Sequence, residues 1–475
     1  MTATSPTSPQ QIDASCRLPL FALFGGAAGW LALGSILGLI ASLKFHAPAM
    51  FADSALLSYG RVFPASQFLL VYGFCLPAGL GVGLWLLARL GRVALAKPFL
   101  VTIGGKLWHL GVLVGLIAIL AGESTGHEWL EMPRYASVIL FLSFLLMGLW
   151  AFVTHTRRQE VSLYPSQWFV LAAFFWFPWI FTSATLLLQW FPVRGMTQAA
   201  IAWWFAGNLL NVWLALAGLA ATFYFLPRLA GRPLQSRYLA LFVFWTLILF
   251  GTWTGIPASA AVPAWMPALS GAAKLLMLVP GLAVAAIVTL TCRGSTAPCQ
   301  GGPLCYTKFG AWSLVLTSML LALTACPQIS RVTDFTWFTH GQNALLLYGF
   351  FAMTMFAATY FILPHIAGHG AVFPGRVRAQ FWLSMLGTLL FAVPLLVGGI
   401  IQGLKLVNPE IAFLDALKSS LMPFRMSTLG ELLIIAGNLL FLFNVGYAIV
   451  RYYRSVCKVA YADVTAPLEV VEVKP

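Results

Sequence analysis

A chain of 475 residues that is 60% hydrophobic and only 8% charged lies outside the composition range of soluble domains and has the balance of a polytopic membrane protein. Its formal charge of +14 is spread over short connections and forms no basic run, which excludes a nucleic-acid footprint and points to membrane topology instead.

Crossing about 30 Å of hydrocarbon takes roughly 20 apolar residues as a helix, because every backbone N–H and C=O must be satisfied inside the segment. Twelve stretches meet that need: 20–43, 67–87, 99–121, 136–153, 167–188, 201–225, 239–256, 268–290, 309–325, 343–363, 381–401 and 432–450. The first follows a polar Ser/Thr/Pro/Gln leader, 1–19, and no small-residue cleavage site clearly follows it, so it reads as a retained helix. The tail 453–475 ends in TAPLEVVEVKP, which has no helical period and is expected to be disordered or a docking strand. The predicted fold is therefore all-α: a twelve-helix bundle over 20–452, with connections too short to house a separate soluble domain.

With residues 1–19 placed in the cytoplasm, the cytoplasmic segments hold 17 Lys/Arg and the opposite side 8, leaving Lys106 and Lys274 inside spans. That asymmetry follows the positive-inside rule, so both termini are expected in the cytoplasm of a bacterial-type inner membrane, with lipid as the surrounding partner. Cys16, Cys292, Cys299, Cys305 and Cys457 fall on the same side, where thiols stay reduced. Their spacing matches no common zinc pattern, and they read as ordinary thiols.

Several residues fall at fixed separations along spans two to ten. "LSYGRVFPAS" carries Gly60, Arg61 and Pro64, and "AWWFAGN" carries Trp203, Trp204 and Asn208. "FLPRLAGRP" at 225–233, "FVFWTLILFGTWTG" at 242–255, "VPAW" at 262–265, "TDFT" at 333–336 and "YFILP" at 360–364 follow in order. Over roughly 55–400 this series resembles subunit I of the haem–copper oxidase superfamily, in its cbb-type cytochrome c oxidase branch.

The resemblance implies six metal-binding histidines: two for a low-spin haem from the second and tenth spans, one for a high-spin haem on the tenth, and three for copper on the sixth and seventh. It also implies a membrane-anchored cytochrome c subunit as partner. Iron and copper at such sites take neutral imidazole nitrogen, which no aliphatic side chain can replace. Here Ser66 stands at the second-span haem position, Gly207 at the sixth-span copper position, and Pro257 and Ala258 where two adjacent histidines would be. On the tenth span local spacing puts Thr339 and Gly341 on the ligand positions, with His340 between them as the remaining cofactor-binding candidate. No haem or copper is therefore expected unless unusual ligands hold them, and no catalytic or metal-ligating residue is assigned. The small residues Ala206, Gly207 and 258–261 are expected to let helices close over the space the haems would take.

Two lysines are the functional candidates. Lys274, well inside the eighth span, costs at least about a few kcal/mol unless it faces the bundle interior and finds a partner. It could fill the implied metal region, move protons, or pair with backbone carbonyls. Lys106 reads as a side chain that snorkels to the membrane surface. His109 is expected to hydrogen-bond a neighbouring helix rather than to bind metal, and His365 and His369 to lie in a solvated loop or a partner contact rather than to hold a metal. Glu431, Trp129, Trp190 and Trp265 are expected near the membrane interfaces.

The favoured function is a haem-free, copper-free scaffold or partner subunit in a respiratory electron-transfer complex. Two alternatives stay open: a proton- or ion-translocating bundle that uses Lys274, and an active terminal oxidase with unusual haem ligation.

Overall fold

The computed structural model describes residues 8–368, 370 and 372–465, and among them every regular element is helical. Ser8 opens the first helix with a capping box: its hydroxyl accepts from Gln11 N while the Gln11 side chain accepts from Ser8 N. Pro9 follows at the first helical position, where a missing N–H costs nothing. Helix α1 thus runs Pro9–Leu43, and the boundary expected at residue 19 lies inside it.

The further long helices are α2 Tyr59–Gly91, α3 Pro98–Ala121, α4 Arg134–Thr156, α5 Pro165–Trp190, α6 Met196–Ala230, α7 Arg237–Gly251, α8 Trp265–Cys292, α9 Pro303–Leu323, α10 Trp337–Ala367, α11 Pro374–Val407 and α12 Leu421–Thr465. Eleven of the twelve are long and apolar enough to cross a membrane; α7 has 15 residues and spans only about 22 Å. The seventh span was expected to reach residue 256. It stops at Gly251 because Thr254 Oγ1 donates to Gly251 O and the chain turns back through Gly255, whose φ is +120°. The last helix continues past residue 452 to Thr465, so the start of the expected tail is helical, and residues 466–475 lie outside those described.

Helices α2, α6 and α10 form the centre. Their apolar stretches are 100%, 94% and 89% buried, whereas those of the other spanning helices are at most 67% buried. Each central helix contains a wide π-turn segment, Leu69–Cys75, Asn208–Trp213 and Leu345–Ala352, and a shorter one ends α5 at Leu186–Trp190. Such segments are rare and cluster at functional places. The peripheral helices turn apolar side chains outward, as Leu142, Leu145, Leu149 and Phe152 do on α4, which suits hydrocarbon as the solvent.

Helices α1 and α12 run antiparallel side by side. Arg17 Nη1 donates to Tyr452 Oη at 3.0 Å near one end, and Ser42 Oγ lies 2.7 Å from Thr428 Oγ1 near the other. The start of α1 and the end of α12 therefore share one end of the bundle. At the same end Cys299 and Cys305, expected as separate thiols, form a disulfide. The Gly301–Gly302–Pro303 turn folds the chain back and leaves their Cα atoms 5.4 Å apart, a proximity that spacing alone does not reveal.

Candidate functional site

Of the residues at the implied ligand positions, Ser66, Gly207, Thr339 and Gly341 lie on the central helices, just before the π segments of α2, α6 and α10. Ser66, on α2, is buried and donates its hydroxyl to Phe63 O at 2.7 Å. Gly207, on α6, meets the turn that follows α7: a Cβ there would lie 2.4 Å from Thr254 O and 2.9 Å from Gly255 Cα. Gly255 makes the reciprocal contact, since a Cβ on it would lie 2.4 Å from Trp203 O. No other residue type fits either side of this approach without a backbone shift.

Asparagines hold the turn in place. The buried Asn208 donates to Trp204 O and Thr252 O at 2.9 and 3.1 Å and accepts from Trp176 Nε1, while Asn211 donates to Thr254 Oγ1 at 3.1 Å. Gly341, on α10, is equally close to α11, with a would-be Cβ 2.9 Å from Leu396 N. Pro257 and Ala258 lie in the α7–α8 loop, and the small residues 258–261 are largely exposed there. Their expected role in helix closure passes to Gly207, Gly255 and Gly341.

Two cavities flank α10. A small one of about 50 Å³, room for a few waters, lies among α1, α2, α10, α11 and α12 and is lined by Ser66, Gln67, His340, Asn343, Tyr348 and Glu431. A larger one of about 470 Å³ lies beside the Gly207 contact and is lined by Trp203, Asn211, Lys274, Asp334, Thr339 and His340. His340 borders both. Among the described residues its contacts are with the rings of Phe63, Trp337 and Phe391, at centroid distances of 5.6, 5.8 and 6.0 Å.

Lys274 is 9% exposed and lines the larger cavity. Among the described residues it makes no hydrogen bond or ion pair, so the expected alternative of carbonyl pairing is not realised. Asp334, which accepts from Ala258 N and Ser259 Oγ, is the acid that acts on it electrostatically. Lys106 is exposed on the outer face of α3. His109 has both ring nitrogens occupied by α1: Nδ1 accepts from Trp30 Nε1, so Nε2–H donates to Ala22 O, each at 3.1 Å. His365 donates from Nδ1 to its own helix at Phe361 O, and His369 lies outside the described residues. Among the described residues no three His, Cys, Asp or Glu side chains are grouped to hold a metal.

Two residues expected at interfaces are interior. Glu431 is 9% exposed because α12 begins ten residues before it, and Trp129 is 2% exposed because the α3–α4 loop folds inward. In that loop Glu131 Oε1 accepts from Trp129 N at 2.8 Å while its Oε2 is buried without a partner. Burial, reinforced by the nearby Glu128 carboxylate, pushes the Glu131 carboxyl up to about 8. Residue patterning singled out neither Gly255 nor Glu431 as a site residue. The glycine was one of 42, and the glutamate was mistaken for a helix end.

Residues 19–433 match the family model described as cytochrome c and quinol oxidase polypeptide I. The chain is 24% identical over 442 residues to a cbb3-type cytochrome c oxidase subunit CcoN1 of Stutzerimonas stutzeri, covering 87% of this chain and 91% of that one. It is similar to the cytochrome c oxidase subunit 1 homologue of Azorhizobium caulinodans, at 23% identity over 91% of this chain and 81% of that one. A bacteroid cytochrome c oxidase subunit 1 homologue of Bradyrhizobium diazoefficiens is 24% identical over 89% and 79% of the two chains.

Proposed function

This multi-pass membrane protein belongs to the haem–copper oxidase subunit I family, and from that premise we propose that it is a cbb-type relative working without haem or copper, as a scaffold or partner subunit of a respiratory electron-transfer complex. The observation that carries this reading is the contact at Gly207. Backbone from the α7–α8 turn stands within 2.4 Å of where any side chain would begin, so no ligand can project from that position.

Three features add support. The space between α2 and α10 is about 50 Å³, against about 300–1,000 Å³ for small-molecule ligand sites, which favours a reading without a low-spin haem beside Ser66 and His340. The larger cavity offers one imidazole, His340, beside an ammonium and a carboxylate, where the family's chemistry needs several imidazoles, and an ammonium has no lone pair. Both nitrogens of His109 are committed to α1. No step of oxygen chemistry is derived from this chain.

The proposed setting is a bacterial inner membrane with both termini cytoplasmic, on the strength of the charge asymmetry, and the proposed partner is a membrane-anchored cytochrome c subunit. The test is a reduced-minus-oxidised absorption spectrum with metal analysis on the chain purified alone. The expected result is neither haem bands nor stoichiometric iron or copper. Stoichiometric haem would mean that His340 or a non-histidine donor has taken over ligation, and the reading would give way to an active oxidase.

A second reading rests on Lys274. A buried lysine with no direct partner among the described residues, facing a cavity of about 470 Å³, suits a bundle that passes protons or another ion.

A further inference from the structure

Glu431 has no place in either reading, yet it is the buried acid of the last helix. It lines the small cavity, its Oε2 has no hydrogen-bond partner among the described residues, and Gly38 of α1 leaves room for it, since a Cβ there would lie 2.7 Å from Oε1. A run of hydrogen-bonding side chains connects it to the bundle end opposite the termini. His46, in the loop after α1, places Nε2 2.8 Å from Thr428 Oγ1. Thr428, which also donates to Phe424 O, lies 2.7 Å from Ser42 Oγ, and Ser42 lines the small cavity beside the Glu431 carboxyl.

We propose that His46, Thr428, Ser42 and Glu431 form a proton relay that connects this end of the bundle to the small water-sized cavity, with Glu431 as its internal proton site. Both hydroxyls can accept one proton and pass on another: His46 first takes a proton at Nδ1 to become imidazolium and then releases Nε2–H to Thr428, each hydroxyl hands on its own proton, and the ionised Glu431 carboxylate takes the last, which leaves a neutral imidazole and a neutral carboxyl. Nδ1, buried and without a partner among the described residues, takes up that proton when the half-buried ring turns toward the loop surface. Burial and the nearby Arg425 hold His46 below its usual range, which keeps it neutral and able both to give and to take a proton.

The groups that face Glu431 are compatible with this role. Tyr348 and His340 of α10 and Tyr59 of α2 share its cavity, Arg425 precedes it on α12, and among the described residues no Lys or Arg lines the space. The relay stops at the cavity. The next polar pair along α12, Asn438 with Ser35, lies about 10 Å farther on, and Asn444 with Tyr360 a further 9 Å or so, beyond hydrogen-bond reach. Along α12 itself the relay therefore has no polar continuation past Glu431 among the described residues.

The experiment is infrared spectroscopy on the full chain in detergent, with the carboxyl band assigned by its loss in Glu431→Gln. After transfer to heavy water, Thr428→Val is expected to slow deuterium exchange at that band by about a hundredfold, and Thr428→Ser to restore it, with backbone amide exchange unchanged throughout. An unchanged rate in Thr428→Val overturns the relay. So does the absence of any Glu431-dependent carboxylic-acid band between about pH 5 and 9, because the residue would then hold no transferable proton.

Discussion

At Gly207 a single missing side chain determines how two segments meet. Exchanging it for alanine puts a methyl group 2.4 Å from Thr254 O, so α6 or the turn must move. Overpacking of this kind costs about 1–3 kcal/mol. Gly207→Ala is expected to lower the unfolding temperature in detergent by several degrees, whereas Gly60→Ala, with nothing within 4 Å of the new Cβ, should leave it unchanged. Equal stability of the two variants would mean that the approach is looser than described. The Trp-Trp and Asn around Gly207 singled it out in the sequence as the residue at a position where the resemblance implies a ligand. The sequence could not reveal why glycine stands there. The reason is a contact with Thr254 and Gly255, far enough along the chain that no local pattern records it.

Elements show the same limit. Apolar runs placed all twelve helices, because hydrocarbon demands a length of apolar chain whatever the helix packs against. The ends of α7 and α12 escaped because caps and turns, not hydropathy, terminate a helix. The inward fold of the α3–α4 loop escaped for a related reason: its Glu131 looks like any polar loop residue until burial is known. That burial makes the loop a pH-sensitive element. The Glu131 carboxyl is raised from the usual 4.5 to about 8, so the folded state holds its proton more tightly than the unfolded chain does. Stability from this group is full below about pH 4.5 and is lost as pH rises through about 8, on the order of a few kcal/mol. Thermal unfolding in detergent should therefore shift to lower temperature between pH 5 and 8, and Glu131→Gln should flatten that dependence. A slope that persists in the glutamine variant would assign it to another group.

For the molecule as a whole, ion passage is the property that separates the two functional readings. Lys274 borders the larger cavity with Asp334 as its electrostatic neighbour, and replacing an unpaired buried ammonium by an apolar side chain of similar length need not weaken the fold. The translocation reading expects proteoliposome flux in the wild type that Lys274→Met abolishes; wild-type flux in that variant would sink it and leave the scaffold reading standing. What the sequence by itself determined is the solvent, the helical class, the order of the spans and the family, because all of these follow from composition and from residues in fixed order along the chain. Tertiary structure alone decided that α2, α6 and α10 are the centre and that a backbone turn occupies the approach to Gly207. It also decided that Glu431 is an interior acid and that Cys299 meets Cys305. Each of these is a relation between residues distant in sequence, set by which faces pack together, and no period or motif along one strand of text carries that information.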